Sequence, residues 1–466
     1  MSRPQTVGAT TDTARYLAQI GIDHAASTLR TLVSAPGALA ELNSVLAELD
    51  ASGTAVILHD GTPISVGSRD VLAEIESTVS RHFTAEVSVP NHRHGTVVLD
   101  ETTVDGSTAA SAGCAVIVAV GGGTIVDLGK VLSHRHGVPL VVIQTCASVN
   151  GFSDPLSVLV RSGTKSTVPT AWPVALIIDH DVVAHAPAAL TRAGFGDAAA
   201  IWCAPADWYL ACTLGMDTEF DSDVLAVIGA AAERLRDAPS LTELDLGALL
   251  DTLTYGGLGI GVTGTTAVVS GCEHLISHLI DMAAVARGTD HDLHGAQVGV
   301  AAVMSAALWE SAIESFDALA IDVDDAVTPI PDLESSVIGA WESIDPSGRV
   351  GAACARNVAT KMDRWSSARS ELDDFVANWP DHRRALVALL RPAADIAADL
   401  AAIGAPTRFS QLTPPVDRET VRWIMRTLPL MRDRFTLCDA LLVSGRWTDE
   451  FIDRVLDRAA ESGGGL

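Results

Sequence analysis

The feature that most constrains the fold is the stretch AVIVAVGGGTIVDLGK, Ala115 to Lys130. Its six leading apolar residues have no polar break, which is typical of a strand buried on both faces of a parallel sheet. Three glycines follow, and they let the backbone turn tightly and approach a ligand without a Cβ in the way. A helix beginning here would point free N–H groups and its positive dipole end at a phosphate. The stretch therefore predicts a dinucleotide site at Gly121, Gly122 and Gly123, or alternatively a buried strand with a Gly-rich turn that binds nothing.

Similar apolar runs begin at Gly53 and Val138, and a last one covers Val174 to Asp179. Strands that alternate with helices predict βαβ units and a mostly parallel sheet. From about Val183 onward the pattern is helical almost throughout. We therefore predict an N-terminal extension at residues 1–28, an α/β dinucleotide-binding domain at 29–182 and an all-helical domain at 183–466.

Polar side chains follow two of these predicted strands. Asp60 ends the strand from Gly53, where an acid often holds a ribose hydroxyl in nucleotide folds, although a simple turn Asp is the alternative. The strand from Val138 leads into TCASVNGFSDPLSVL, Thr145 to Leu159, at the edge where open α/β sheets bind ligands. Its Pro and Gly content alone indicates only a loop.

The helical half carries acids and histidines in an apolar setting. Asp197 follows Gly-Phe-Gly, which we interpret as a turn that places it at or near the first turn of a helix. His274 and His278 are four residues apart and share a helix face, and His294 precedes a Gly and another apolar helix. One carboxylate and two imidazoles make a workable catalytic zinc site with an open position, whereas the order Glu273-His274 is not the HExxH of a zincin. The alternatives are an N-cap for Asp197 and a packed or solvated His pair.

The composition limits the partners. Acids outnumber bases by 58 to 31, and a net charge of −27 argues against binding nucleic acid or an anionic membrane. The seven cysteines lack CxxC spacing and fit a reducing cytoplasm. The N-terminus has no signal-peptide h-region, and we expect no apolar stretch long enough to span a membrane.

The motifs GGGTIVDLGK, TxxS, GFGD, EHxxxH and HGxQVG occur in that order. Together they resemble the superfamily of sn-glycerol-1-phosphate dehydrogenase, glycerol dehydrogenase, the metal-dependent alcohol dehydrogenases and dehydroquinate synthase. The segments APADW, SGCEHLISH, LHGAQVGV, IGAPTRFSQL and LPLMRDRFTLCDALLVSG favour the glycerol-1-phosphate dehydrogenase branch. The resemblance covers roughly residues 30 to 450. It implies a dehydroquinate synthase-like fold, with a Rossmann-like α/β domain, an all-α domain and the active site between them.

The resemblance also implies roles for individual residues. Asp197, His274 and His294 would bind a divalent metal, with zinc, nickel and iron as candidates. Asp197 and His278 would act on the substrate, beside Asn150. The residues expected to bind NAD or NADP are Asp60, Gly121, Gly122, Gly123, Thr124, Asp127, Thr145, Ser148 and Asp154.

Three positions depart from the family pattern. Asn150 stands where the family loop has an Asp that contacts substrate, and Asp154 stands where a Ser usually touches the cofactor. Ala296 replaces the acid of HGEQVG. Because Asn both donates and accepts hydrogen bonds whereas an ionised Asp only accepts, we expect the substrate to differ at this loop.

We therefore predict a cytoplasmic NAD(P)-dependent, metal-dependent dehydrogenase of a small polyol phosphate or ketose phosphate, assembled as a homo-oligomer. One alternative is a sugar-phosphate cyclase that uses NAD transiently, as dehydroquinate synthase does. The other is a binding protein of the same fold that has lost catalysis. The cationic candidates for the substrate phosphate are Arg161, Lys165 and Arg192.

Overall fold

A computed structural model describes residues 10–22, 28–93, 96–161, 164–315 and 322–466. Residues 1–9 and 23–27 of the predicted N-terminal extension lie outside this description. The strands are β1 Thr31–Ala35, β2 Thr54–Leu58, β3 Ser65–Val66, β4 Arg69–Asp70, β5 Thr84–Ser88, β6 His92–Arg93, β7 Thr96–Val97, β8 Val116–Gly121, β9 Leu140–Gln144, β10 Leu156–Arg161, β11 Thr164–Pro169 and β12 Ala175–Asp179.

The α-helices are α1 Thr10–Gln19, α2 Leu42–Ala47, α3 Val71–Val79, α4 Glu101–Ala110, α5 Gly123–His136, α6 His180–Ala184, α7 Ala188–Ala198, α8 Ala204–Thr213, α9 Ser222–Glu233, α10 Leu246–Thr263, α11 Cys272–Arg287, α12 His294–Ser315, α13 Val323–Ala326, α14 Leu333–Trp341, α15 Arg349–Trp365, α16 Arg369–Ala377, α17 Trp379–Ala388, α18 Ala393–Ala402, α19 Arg418–Thr427, α20 Leu437–Val443 and α21 Asp449–Glu461. Short 3₁₀ turns lie at Ala38–Glu41, Ala199–Trp202, Thr266–Val269, Phe409–Gln411 and Leu428–Leu430.

Six strands form one parallel sheet in the order β1-β12-β9-β8-β2-β5. Every residue of β8, β9 and β12 is buried, which explains why their sequences are apolar without alternation. Hydrophobic clusters cover both faces of the sheet. The predicted fold class, a parallel α/β sheet followed by a helical half, is therefore confirmed. The boundary at residue 182 stays a prediction.

Two elements of the N-terminal half are absent from the sequence interpretation. The segment predicted as a loop up to Leu159 instead enters an antiparallel hairpin of β10 and β11. Helix α4 lies in the interval before the Gly-rich stretch, and the Asp100 side chain caps it by accepting from the Thr103 N–H at 2.9 Å.

Helix α1 of the predicted extension lies against β1, where the Leu32 N–H donates to Thr13 Oγ1 at 2.7 Å.

The helical half surrounds α12. By length and composition this is the single described helix that could cross a membrane, which differs from the sequence expectation. However, 83% of its most apolar window is buried inside the protein. Burial among other helices accounts for an apolar surface on all sides, so α12 is the core helix of this half.

Candidate active site

The three glycines lie where β8 meets α5 at the carboxyl edge of the sheet. Helix α5 begins at Gly123, so its first N–H groups have no intrahelical acceptor and its positive dipole end points out of the sheet. A Cβ added at Gly123 would lie 2.7 Å from Val149 Cγ2, and one at Gly122 would lie 3.4 Å from Cys146 Sγ. The glycines therefore allow the loop after β9 to pack against the start of the helix.

Three other predicted cofactor residues share this edge. The Thr145 N–H donates to Gly121 O at 3.3 Å, so the loop after β9 continues beside the Gly-rich turn. Ser148, in the same loop, accepts from the Cys146 thiol at 3.4 Å. Asp60 follows β2, the neighbour of β8, and its Oδ1 accepts from the Thr62 N–H at 2.9 Å. The structure thus brings together a candidate dinucleotide surface.

The remaining predicted cofactor residues differ in their surroundings. Thr124 is exposed in the first turn of α5. Asp154 Oδ1 accepts from Lys130 Nζ at 3.0 Å and from the Leu156 N–H at 2.7 Å. Asp127 Oδ2 accepts from the Val158 N–H at 3.0 Å. The two carboxylates therefore have internal partners around the buried Lys130 ammonium, and their roles with a cofactor stay predictions.

The position of Asp197 differs from the sequence interpretation. Gly-Phe-Gly is not a turn but part of α7, and Asp197 lies in the last turn of that helix. A Cβ at Gly194 would lie 1.9 Å from Ala147 O, and one at Gly196 would lie 2.1 Å from Gly295 O. The glycines are thus required by close approach of neighbouring backbone. They allow α7 to pack closely against both the loop after β9 and the start of α12.

Asp197, His274 and His294 converge from α7, α11 and α12. One oxygen or nitrogen atom of each lies within 4.8 Å of the others. Asp197 Oδ1 is 3.5 Å from His274 Nε2 and 3.7 Å from His294 Nε2. Oδ2 accepts from the Asn150 N–H at 2.8 Å, whereas Oδ1 is buried and has no hydrogen-bond partner among the described residues. A buried carboxylate oxygen without a donor, faced by two imidazole nitrogens, fits a divalent cation.

The other nitrogen of each imidazole has an acceptor. His274 Nδ1 donates to Glu273 Oε1 at 2.9 Å. Ser277 Oγ donates to Gln297 Oε1 at 2.7 Å, so that hydroxyl accepts from His294 Nδ1 at 2.9 Å. These bonds place a proton on each Nδ1 and direct both Nε2 atoms toward Asp197, so each Nε2 would offer its lone pair to a metal once it is deprotonated.

Burial and charge set the protonation of the cluster. Burial opposes the charged form of His274, but Asp197 and Glu273 outweigh it and raise the pKa of the ring to about 9. Burial also opposes the charged form of Asp197, but the two histidines and the Asn150 N–H lower its pKa overall. Burial lowers the pKa of His294, which keeps this ring neutral and able to bind a metal.

His278 lies next to the cluster, with its ring stacked on that of His294 at a centroid distance of 5.8 Å. Arg432 Nη1 donates to His278 Nδ1 at 3.1 Å. Burial, together with the charge of Arg432, lowers the pKa of His278 well below its ordinary value. Because a guanidinium only donates, the neutral ring carries its proton on Nε2.

The sequence interpretation did not assign Ser277, Gln297 or Arg432. Among the proposed phosphate-binding cations, Lys165 forms an ion pair with the buried Asp281. Arg192 Nε donates to Ile403 O at 3.1 Å, and Arg161 is exposed at the end of β10. Gln297 was visible in the HGxQVG motif and Arg432 in the C-terminal segment LPLMRDRFTLCDALLVSG, but nothing in the sequence connects Arg432 with His278. The fold alone brings it to His278.

Comparison with solved structures and protein families identifies the fold class. The chain superposes on glycerol dehydrogenase from Schizosaccharomyces pombe with a TM-score of 0.56 at 14% identity, over 92% of this chain and 90% of that one. Residues 33–187 match the iron-containing alcohol dehydrogenase family. The fold is therefore the two-part architecture of this class.

Sequence relatives identify the family. Glycerol-1-phosphate dehydrogenase [NAD(P)+] of Bacillus velezensis is 30% identical over 61% of this chain and 73% of its own length. The enzyme of the same name from Halalkalibacterium halodurans is 34% identical over 42% of this chain, and the match spans only half of that relative's length. The chain belongs to the iron-containing alcohol dehydrogenase family, in its glycerol-1-phosphate dehydrogenase branch.

Proposed function

We propose that the protein is an oxidoreductase that transfers hydride between NAD(P) and a small polyol phosphate or ketose phosphate, with one divalent metal. The observation that carries this proposal is the buried Oδ1 of Asp197, which has no hydrogen-bond partner among the residues that the structure describes and faces the Nε2 atoms of His274 and His294. The names of the relatives support the nucleotide and the phosphorylated substrate. Zinc suits this ligand set best, with nickel and iron as alternatives.

The chain's own residues would hold and orient the reactants. The divalent ion would supply Lewis acidity toward a substrate oxygen, and the dinucleotide would give or take the hydride. The backbone at Gly121–Gly123 would bind its pyrophosphate. The hydroxyls of Thr145 and Ser148 would line the nicotinamide side. His278 would donate its Nε2–H to the substrate and would relay the proton of the reaction.

One loop, residues 145–150, supports a single reaction centre. Val149 packs against the first residue of α5, while the Asn150 N–H donates to Asp197. A dinucleotide at the glycines and a metal at Asp197 would thus bind to opposite sides of the same short loop. This arrangement favours direct hydride transfer to a substrate placed between them.

The test combines metal analysis with turnover. Purified protein should contain one divalent metal per chain and oxidise NADH with dihydroxyacetone phosphate. His274→Ala should lose both metal and activity, and full turnover by this variant would overturn the site assignment. Phosphate release without net NADH change would instead indicate a cyclase, and NADH binding without turnover would indicate a binding protein.

Two further expectations complete the proposal. We place the enzyme in the cytoplasm, which is supported by seven cysteines that are all free thiols, including the Cys272 and Cys438 sulfurs 3.4 Å apart. We also expect a homo-oligomer of two or more chains. Sedimentation velocity of the purified protein would measure its assembly.

A further inference from the structure

Arg432 lies between the 3₁₀ turn Leu428–Leu430 and α20, in a segment with no role in the metal cluster. Its Nη1 donates to His278 Nδ1 at 3.1 Å, and its Nη2 donates to Lys165 O of β11 at 3.0 Å. The guanidinium therefore joins the ring beside the cluster to the hairpin that follows the cofactor loop. The His278 ring lies between this guanidinium and His294 of the cluster.

The charge of Arg432 has no acid partner. In the parts of the chain that the structure describes, no carboxylate oxygen lies within ion-pair distance of this guanidinium. Other buried cations in the protein do have acids: Lys130 with Asp154, Lys361 with Asp439 and Arg391 with Asp399. Because acids outnumber bases by 58 to 31, a half-buried cation without a carboxylate in ion-pair distance is a candidate for binding an anion.

The neighbouring cations differ from Arg432 in what their charge and donors contact. Lys165 is neutralised by Asp281, whose oxygens also bind His291 and Gln297. Arg434, two residues from Arg432, uses its donors on Ser270 and Thr266 and braces that turn. Among the described residues, Arg432 thus combines a hydrogen bond to the ring next to the cluster with the absence of a carboxylate within ion-pair distance.

Within the described part of the chain, Arg432 also keeps N–H donors that no residue accepts. A guanidinium has five N–H groups, and two are used by His278 and Lys165. Burial, followed by the charge of Arg434, lowers the pKa of Arg432 to about 10, so the group stays cationic at neutral pH. A planar, charged group with spare donors matches the oxygens of a phosphate.

We propose that Arg432 binds the phosphate group of the substrate and so gives the enzyme its preference for a phosphorylated polyol. This inference rests on the proposed function. In this arrangement His278 contacts the reacting end of the substrate and Arg432 the phosphate end. The His278–Arg432 hydrogen bond fixes the distance between the two contacts, so substrate length as well as charge is selected.

The test compares wild type, Arg432→Gln and Arg432→Lys with Arg434→Gln as the matched control from the same segment. Kinetics with glycerol phosphate and with glycerol give a selectivity ratio, and calorimetry gives the affinity for inorganic phosphate. Circular dichroism and metal content verify the fold of each variant. If Arg432→Gln does not fold, Arg432→Lys carries the comparison.

Arg432→Gln should lower the ratio of kcat/KM for glycerol phosphate to kcat/KM for glycerol about 10- to 100-fold, the usual loss for a charged hydrogen bond, because any effect through His278 acts on both substrates alike. Arg432→Lys should recover part of this loss, and Arg434→Gln should keep the wild-type ratio. Equal losses on both substrates, or a loss confined to glycerol, would overturn the proposal.

Phosphate affinity separates this inference from the proposed function. If wild type turns over no polyol phosphate, the proposed function fails. Weaker phosphate binding by Arg432→Gln than by wild type would then still support an anion site at Arg432. Equal phosphate affinities of wild type and Arg432→Gln would overturn the anion site at Arg432, whether or not the enzyme turns over a polyol phosphate.

Discussion

Glu273 Oε1 lies 2.9 Å from Nδ1 of His274, the residue that follows it in the chain. Glu273 is completely buried, and its Oε1 also accepts from the Gly271 N–H at 2.6 Å, which fixes the carboxylate at the start of α11. The ring of His274 is therefore oriented by an immobile acid. A carboxylate in this position raises the basicity of a metal-binding imidazole.

Glu273→Gln should weaken metal binding about 10- to 100-fold, because the amide keeps the shape of the side chain but removes its charge. Competition with a chelator would measure this. Glu76→Gln, at an exposed position of α3, is the control and should bind metal as wild type does. Unchanged affinity in Glu273→Gln would show that the acid does not act on the metal site.

Ser277→Ala tests the second imidazole. Without the hydroxyl, His294 Nδ1 loses the acceptor that links it to Gln297, so the ring is free to rotate or to change tautomer. We expect about 10-fold weaker metal binding by the same chelator competition. Ser311→Ala should have no such effect, since that buried hydroxyl bonds only the helix carbonyl of Ala307. Equal behaviour of the two variants would contradict the orienting role.

Gly196→Ala should destabilise the protein by about 3 kcal/mol, because the new Cβ would lie 2.1 Å from Gly295 O and backbone must move. Urea unfolding would measure the change. Gly229→Ala, in α9 with nothing within 4 Å of the added Cβ, should stabilise by about 0.5–1 kcal/mol through helix propensity. A neutral Gly196→Ala would argue against close packing of α7 on α12.

Gly123→Ala tests the dinucleotide surface. The added Cβ would lie 2.7 Å from Val149 Cγ2 and push the cofactor loop away from α5. We expect about 10-fold weaker NADH binding, which corresponds to about 1.4 kcal/mol, by fluorescence titration. The double variant Gly123→Ala/Val149→Ala removes the collision and should regain part of the affinity. Wild-type affinity in Gly123→Ala would place the dinucleotide elsewhere.

Asp207 should make stability depend on pH. Burial, and then the charge of Glu273, raises the pKa of Asp207 to about 7 from an unfolded value of about 3.9. The folded state then holds the proton more tightly, so this residue's contribution is greatest below about pH 4 and is lost as the pH rises to about 7. Relative to Asp207→Asn, wild type should lose up to about 1.4 kcal/mol for each pH unit in this window. Parallel urea-unfolding profiles of the two proteins would contradict this.

The sequence was most informative about the sheet. β8, β9 and β12 are short and fully buried, which matches the short apolar runs without alternation that predicted strands inside a parallel sheet. The hairpin of β10 and β11 was not predicted, because its Pro- and Gly-containing approach was interpreted as a loop. Two alternating runs on either side of Ser-Gly are a signal that could have revealed it.

The candidate site was predictable in its residue types but not in its geometry. The order of motifs pointed to Asp197, His274 and His294, which the structure brings within 4.8 Å of one another. Gly194 and Gly196 were interpreted as a turn, because local propensity does not reveal that Ala147 and Gly295 approach them from elsewhere in the chain. Arg432 lay beyond sequence reasoning for the same reason, since its partners are more than 150 residues away.

The loop at residues 145–150 has a thermodynamic consequence. Its Val149 contacts the start of α5, and its next residue holds Oδ2 of Asp197. A ligand that orders this loop from one side spares a ligand on the other side part of the ordering entropy. The two binding equilibria are then coupled. If the dinucleotide raises the affinity for the metal by some factor, the metal raises the affinity for the dinucleotide by the same factor.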